Sequence, residues 1–253
     1  MKTASPSSPT AIRSTTRTAL LQRPPILGSD RRTTRPAVIP VRPEYALKSA
    51  LDFTLAVVLL ALSAPAILAT MLLVKLTSHG KALYSQSRVG RAGRTFTIYK
   101  IRTMTHECER FTGPQWSQKG DVRITPLGRI LRKLHLDELP QLWNVLRGEM
   151  SLIGPRPERP EIVEDLRLSV FGYDVRHQVK PGISGFAQIH LPPDSNILSV
   201  HDKLIYDRYY ISRMGLAFDL TILVGTAFKI IGLGKLYQRP PRIRLVHRDV
   251  VGS

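Results

Sequence analysis

Phe53–Val74 reads FTLAVVLLALSAPAILATMLLV, 22 residues without a charge. As a straight helix it would extend about 33 Å, enough to cross the hydrocarbon core of a bilayer. A soluble core helix is seldom apolar on every side, so the run is expected to meet lipid. Pro65 interrupts its middle, where it removes one backbone hydrogen bond and crowds the preceding turn. Ser63 stands two residues earlier and can satisfy a freed backbone group. A bend is therefore expected at Ser63–Pro65. Both flanks are basic, with Arg31, Arg32, Arg35, Arg42 and Lys48 before the run and Lys75, Lys81, Arg88, Arg91 and Arg94 after it. Two basic ends give the positive-inside rule no direction for a spanning helix. They suit a helix that enters, bends and returns, and a kinked spanning helix is the other reading of the same residues.

The whole chain is basic: 253 residues carry a formal net charge of +18. Such a balance points to anionic partners, whether nucleic acid, phosphorylated ligands or anionic lipid. The lone cysteine, Cys108, excludes an intramolecular disulfide and a cysteine-built zinc site. Residues 1–43 hold eight Lys or Arg and one acid among many Ser, Thr and Pro, with no apolar run fit for a signal peptide. They are expected to form a disordered basic arm. A catalytic unit is expected over residues 44–234, its membrane helix over about 50–76, with a basic tail over 235–253. The fold class expected is α+β: a mostly helical, membrane-associated domain with a small β-hairpin and interfacial amphipathic helices.

Lys81–Met104 reads as strand, turn and strand, with Phe96 and Ile98 on one face of the second strand. Arg88, Arg91, Arg94, Lys100 and Arg102 make this hairpin a candidate phosphate surface or a solvated basic face. Thr125–Leu136 reads as a helix with Thr125 as N-cap, Pro126 at the first position and Leu127, Ile130, Leu131 and Leu134 as its apolar stripe. A second helix is expected from about Asp137, carrying Leu139, Leu142, Trp143 and Leu146 and stopping at Gly148. Gly154-Pro155-Arg156-Pro157 reads as a rigid turn, followed by a helix to about Ser169. Ser184–Ile189 reads as a short extended segment, and Leu220–Leu233 as an interfacial or packed helix preceded by Asp219.

Asp137 and Glu138 are the strongest candidates for chemistry. Acids in a first helical turn commonly just cap N–H groups and oppose the dipole. The same place also favours phosphate, and Arg132 and Arg156 lie near in sequence as candidate clamps. With a divalent cation bridging carboxylate and diphosphate, these residues are a workable set for phosphoryl transfer, and a carboxylate can itself attack phosphorus. Local chemistry leaves capping and catalysis both open. No GxGxxG or Walker loop, HExxH or serine elbow is present.

Three runs carry a resemblance: LTSHGKALYSQSRVGRAGRTFTIYKIRTM, then GDVRITPLGRILRKLHLDELPQLWNVLRGEMSLIGPRPERPE, then VKPGISGFAQI. Together they resemble the bacterial sugar transferases, the monotopic polyprenyl-phosphate phosphoglycosyl transferases, over roughly Lys48–Leu233. The resemblance implies transfer of a sugar-1-phosphate from a UDP-sugar to polyprenyl phosphate with release of UMP. Asp137 matches the nucleophile. Glu138 matches the second acid, and the pair would handle Mg²⁺. Lys100, Arg132 and Arg156 match basic positions that meet phosphates or the nucleotide; Arg88 joins them as a phosphate-binding candidate. Asp207 matches a further recurrent polar position. The break at Ser63 and Pro65 matches a re-entrant helix, with the catalytic part on the cytoplasmic side of the bacterial inner membrane and a role in exopolysaccharide or other surface-glycan assembly. Anionic lipids and a second copy of the chain are further partners compatible with it. The match is imperfect after the VKPG segment: Phe186 stands where many members have Trp, and after Gln188 the chain continues IHLPPDSN, without an arginine expected there.

Two other functions fit parts of the sequence. A membrane-tethered basic protein that binds nucleic acid or lipid would explain the charge, yet no nucleic-acid motif appears and LDELPQ would have no purpose. A glycosyltransferase acting on the same lipid would release UDP rather than UMP.

Overall fold

The computed structural model describes residues 43–106, 108, 120–194 and 196–234. The expected basic arm, apart from residue 43, and the basic tail lie outside the described residues. Helix α1 runs over Pro43–Thr77, 35 residues, so the uncharged run sits inside a longer helix than its own length suggested. Helical structure continues through Pro65 without interruption. The expected assistance from Ser63 falls elsewhere: its hydroxyl donates to the Leu60 carbonyl at 3.4 Å, not to the Ala61 carbonyl that proline leaves without an N–H. Leu62 and Leu68 are 75% and 68% exposed, whereas the buried positions are few and include Ala56, Thr70 and Val74. The helix is long and apolar enough to cross a membrane. An exposed apolar surface of this extent is unlike the core helix of a soluble protein and suits lipid contact.

The hairpin is present as expected: β1 (Leu83–Val89) pairs antiparallel with β2 (Thr95–Ile101), from Leu83 opposite Ile101 to Val89 opposite Thr95. Its five cations then separate. Arg91 and Arg94 are exposed. Arg102 is buried and holds the end of α1 through the Ser78 hydroxyl and carbonyl and the His79 carbonyl.

Helix α2 (Pro126–Lys133) starts as its sequence dictates, with the Thr125 hydroxyl accepting from Gly128 N at 2.9 Å. Only part of its apolar stripe is buried, because Leu131 faces the core while Ile130 and Leu134 are 56% and 47% exposed. The helix expected from Asp137 begins as a 3₁₀ turn over Leu136–Gln141 and becomes α3 only over Leu142–Leu146. Pro140 accounts for the tighter start, since it offers no N–H to an α-helical ladder. His135 enters this turn in the left-handed region, with φ of 55°.

Strands β3 (Ser151–Ile153) and β4 (Gly182–Ser184) pair in parallel, with Ser151 opposite Gly182 and Ile153 opposite Ser184. The backbones approach so closely that a Cβ on Gly182 would lie 2.1 Å from Gly154 N. Between these strands run α4 (Pro160–Ser169) and a 3₁₀ turn over Tyr173–Gln178. The extended segment expected over Ser184–Ile189 is mostly helix α5, Phe186–His190. The strand ends at Ser184, and Phe186 then turns inward to pack on Tyr206, Tyr209 and Phe218. Helix α6 (Ile197–Arg213) opens on a capping box made by Asn196 and Ser199, and α7 (Leu216–Ile230) completes the domain. Asp219 lies inside α7, not before it; it is buried and accepts from Lys48 Nζ at 2.6 Å.

The main core joins every layer. Ala56 of α1, Ile98 of β2, Leu142 and Val145 of α3, Ile153 of β3, Phe186 of α5, Tyr210 of α6 and Ile222 of α7 pack in one cluster. Burial of this apolar surface fixes α3, and with it the segment that carries Asp137 and Glu138, against the hairpin.

Candidate active site

Strand β2 and helix α3, which continues the Leu136–Gln141 turn, meet at one polar staple. Asn144, fully buried, accepts from Tyr99 N at 3.3 Å and donates to the Thr97 carbonyl at 2.7 Å and to Glu149 at 2.8 Å. Buried polar groups are held only where their hydrogen bonds are met, so this staple fixes α3 against β2 in one register. Asn144 was not singled out in the sequence; the signal was a lone amide inside the apolar run LWNVL.

With that register set, Lys100 reaches Glu138, Nζ to Oε1 at 2.8 Å. Arg156 reaches the same carboxylate from the Gly154–Pro157 turn, with Nη2 to Oε1 at 2.6 Å and Nη1 to Oε2 at 3.4 Å. Burial alone would raise the Glu138 pKa, but Arg156 and Lys100 outweigh it and hold Glu138 well below the usual carboxylate range. Burial lowers Lys100 despite its acidic partner, whereas Glu138 raises Arg156.

Asp137 is treated differently. It is 7% exposed, and its carboxylate makes no hydrogen bond or ion pair with any described residue. Burial first, then the neighbouring Glu138, raises its pKa, and Lys100, Arg132 and Arg156 oppose the rise from a distance. Its side chain caps no helix; the turn has no side-chain cap bond. Arg132 sits at the end of α2, its Nε donating to Thr103 Oγ1 at 2.8 Å.

The remaining two candidates lie behind the turn that carries Arg156. Arg88 donates to the Pro157 carbonyl at 3.1 Å and to Gln86 at 2.7 Å, and faces Glu158 at 3.6 Å. Asp207 is 2% exposed and pairs with Arg176 at 3.0 Å. Arg176 in turn donates to the Arg156 carbonyl at 2.8 Å. Glu158 accepts from Lys203 at 2.9 Å, and Lys203 also bonds Asp194. The structure thus brings Asp137, Glu138, Lys100 and Arg156 together, with Arg132 close by. It sets Arg88 and Asp207 in a second, buried ion cluster. Arg176, Lys203 and Glu158 were not singled out in the sequence; Lys203 and Glu158 lie 45 positions apart, so their pairing leaves no local pattern to find.

Among the described residues no group of three or more His, Cys, Asp or Glu could hold a metal alone. Mg²⁺ commonly takes one or two carboxylates and completes its shell with water and phosphate oxygens. The Asp137 carboxylate, without a protein cation of its own, fits that use. Glu138 is already filled by Lys100 and Arg156 and would have to exchange one of them. The donor set therefore fits a Mg²⁺ that arrives with a diphosphate.

The arrangement offers a shielded carboxylate, without a partner among the described residues, beside an acid gripped by two cations. Such a set can attack an electrophilic phosphorus while neighbouring cations take up the charge on phosphate oxygens.

Known proteins carry the same stretch. The family described as Bacterial sugar transferase matches residues 43–232. A UDP-N-acetylgalactosamine-undecaprenyl-phosphate N-acetylgalactosaminephosphotransferase of Aeromonas hydrophila is 42% identical over 190 residues, 75% of this chain and 45% of its own length. A UDP-glucose:undecaprenyl-phosphate glucose-1-phosphate transferase of Caulobacter vibrioides is 39% identical over 194 residues, 75% of this chain and 72% of its own. The Escherichia coli protein of that name is 38% identical over 185 residues, 72% of this chain and 40% of its own. The chain thus spans less than half the length of two of these relatives. Its match to the family takes in α1, the hairpin, the Asp137–Glu138 turn and the Arg156 turn alike, and the chain belongs to the bacterial sugar transferase family.

Proposed function

We propose that this chain transfers a sugar-1-phosphate from a UDP-sugar to undecaprenyl phosphate and releases UMP. The observation that carries the reading is the Asp137 carboxylate, buried and without a partner among the described residues, beside a Glu138 held by Lys100 and Arg156. An Asp137 oxygen attacks the β-phosphorus of the donor. The phosphoanhydride bond to the α-phosphate breaks, and UMP leaves with the bond's electron pair. The phosphosugar stays on Asp137 as an acyl phosphate. A phosphate oxygen of the acceptor lipid then attacks the same phosphorus, returning the carboxylate and forming a lipid diphosphate sugar. Lys100 and Arg156 steady Glu138 and face the oxygens that gain charge. Arg132 adds positive potential at Asp137. Mg²⁺, held by Asp137 and Glu138 with the donor diphosphate, would neutralise phosphate charge.

The membrane arrangement proposed here rests on α1. Near its start, Lys48 binds Asp219 of α7, and Asp52 accepts from Ser151 of β3 at 2.6 Å. Near its end, Val74 packs with Ile101 and Leu131, and Ser78 is held by Arg102. Both ends of one apolar helix thus dock on the same body. A spanning helix would part them by about 30 Å of hydrocarbon. This supports re-entry about Pro65 with both ends on the cytoplasmic face of the bacterial inner membrane. Single cysteines placed at Ala46 and His79, in a Cys108→Ser background, should both react with an impermeant maleimide only from the cytoplasmic side. Reaction of one of them from the opposite side would replace re-entry by a crossing.

The names of the relatives divide between N-acetylgalactosamine and glucose, so the donor is sought with a panel. Membranes carrying the full chain, Mg²⁺ and each UDP-sugar should yield a burst of UMP without acceptor, and lipid-linked product once undecaprenyl phosphate is added. Asp137→Asn should abolish both, a loss of at least about a thousandfold for a covalent nucleophile. UDP as the only nucleotide product would sink the transferase reading in favour of a glycosyltransferase.

A further inference from the structure

The Arg156 turn is short of ways to hold itself. Pro155 and Pro157 have no N–H, so its main chain is fixed largely through carbonyls. Gly182 N donates to the Pro155 carbonyl at 3.0 Å. The next two carbonyls are each taken by a buried or half-buried arginine: that of Arg156 by Arg176 at 2.8 Å, and that of Pro157 by Arg88 at 3.1 Å. A neutral carbonyl needs no cation, and burying one is expensive unless its charge is met. Here it is met. Arg176 and Asp207 face each other at 3.0 Å with both side chains 3% exposed, and Arg176 Nη1 donates to Tyr173 Oη at 2.6 Å. Arg88 faces Glu158, which Lys203 also holds.

None of these groups contacts Asp137 or Glu138, and the reaction above gives them no step of their own. They converge on one turn, and of them Arg176 holds the main chain of Arg156, whose guanidinium does contact Glu138. A planar guanidinium suits that place because its rigid fork serves three partners in fixed directions. Parallel pairing of β3 and β4 already secures Gly154 and its flank, through Gly154 N to the Ser184 carbonyl at 2.9 Å. What Arg176 adds falls one residue further on, at Arg156.

We propose that Arg176, set by Asp207 and Tyr173, is a positioning residue that fixes the Arg156 main chain and so presets the Arg156 guanidinium on Glu138 and the donor diphosphate. The inference rests on the transferase reading and deepens it. Misplacing a clamp by a fraction of an ångström slows chemistry without removing any group from the site.

A double-mutant cycle on the UMP burst tests it, using the full chain in membranes with a UDP-sugar and no acceptor. Arg176→Lys keeps the charge opposite Asp207 but loses the fork. It should slow the burst rate about tenfold at undiminished burst amplitude and raise the donor KM. In an Arg156→Ala background the same substitution should add little further slowing. Tyr173→Phe, which removes one support of Arg176 and retains the ion pair, should give a milder form of the same pattern and serves if Arg176→Lys is poorly folded. A lower amplitude with an unchanged rate would mean a smaller folded fraction only, and would overturn the proposal. So would equal slowing with and without Arg156. Absence of a burst from the unaltered protein is a separate outcome that removes the transferase reading itself and the inference with it.

Discussion

The molecule holds two clusters of acids and bases a few residues apart, and it treats them in opposite ways. Behind the Arg156 turn, Glu158 has Lys203 and Arg88, and Asp207 has Arg176. In front of the turn, Glu138 has two cations and Asp137 has no direct partner among the described residues. Both clusters are largely shut off from water. A buried carboxylate without a partner is costly, and nothing in the packing requires Asp137 to be one. Charge kept near but not on it is what the proposed role, a group held ready for a substrate, requires. The rear cluster shows what the same residue types look like when they serve to hold main chain.

The contrast can be broken most strongly at the rear. The cations around Glu158 outweigh its burial and lower its pKa to about 2, below the ordinary carboxylate value. A depressed acid stabilises the fold above its unfolded pKa, and that contribution disappears as pH falls towards the folded value. Glu158→Gln should therefore cost about 3–5 kcal/mol near neutrality by leaving buried cations unmet, and the difference from the unaltered protein should shrink from about pH 4.5 downwards. Denaturant melts of the two proteins at several pH values would measure it. A penalty that did not fade in acid would place the loss in packing instead of charge.

The front cluster should give a smaller effect of opposite sign. Asp137 has a raised pKa, first through burial, so its ionised form weighs against the fold as pH climbs through that value. Asp137→Asn should leave the melting temperature unchanged or slightly higher while removing activity. Thermal melts in the same membranes would check it, and a clear drop would mean that Asp137 has structural partners after all.

Much of the local structure was legible. Thr125 and Pro126 announced the start of α2, alternation in Thr95–Ile101 announced β2, and Gly148 announced the end of α3, where its φ of 73° suits glycine. These features depend on a few neighbouring residues. The Asp137–Glu138 pair was also visible, but its local setting suggested helix capping as readily as chemistry. What separated the two acids was Lys100, 38 positions away in sequence from Glu138. The α5 helix was misread as extended because the strand pairing that ends at Ser184 and the aromatic cluster around Phe186 both involve distant partners.

The sequence by itself determined a long apolar helix with basic ends, a basic hairpin, a proline-bounded arginine and a pair of adjacent acids, because each is written in consecutive residues. Only the tertiary structure decided which cations meet which acids. Asn144 locks β2 on α3, and that brings Lys100 to Glu138. Arg176 and Arg88 hold the turn, and that brings Arg156 to the same carboxylate. Electrostatic compensation depends on distance and burial in three dimensions, so no reading of neighbours along the chain could say that Glu138 would take both cations and that Asp137 would have no direct partner among the described residues.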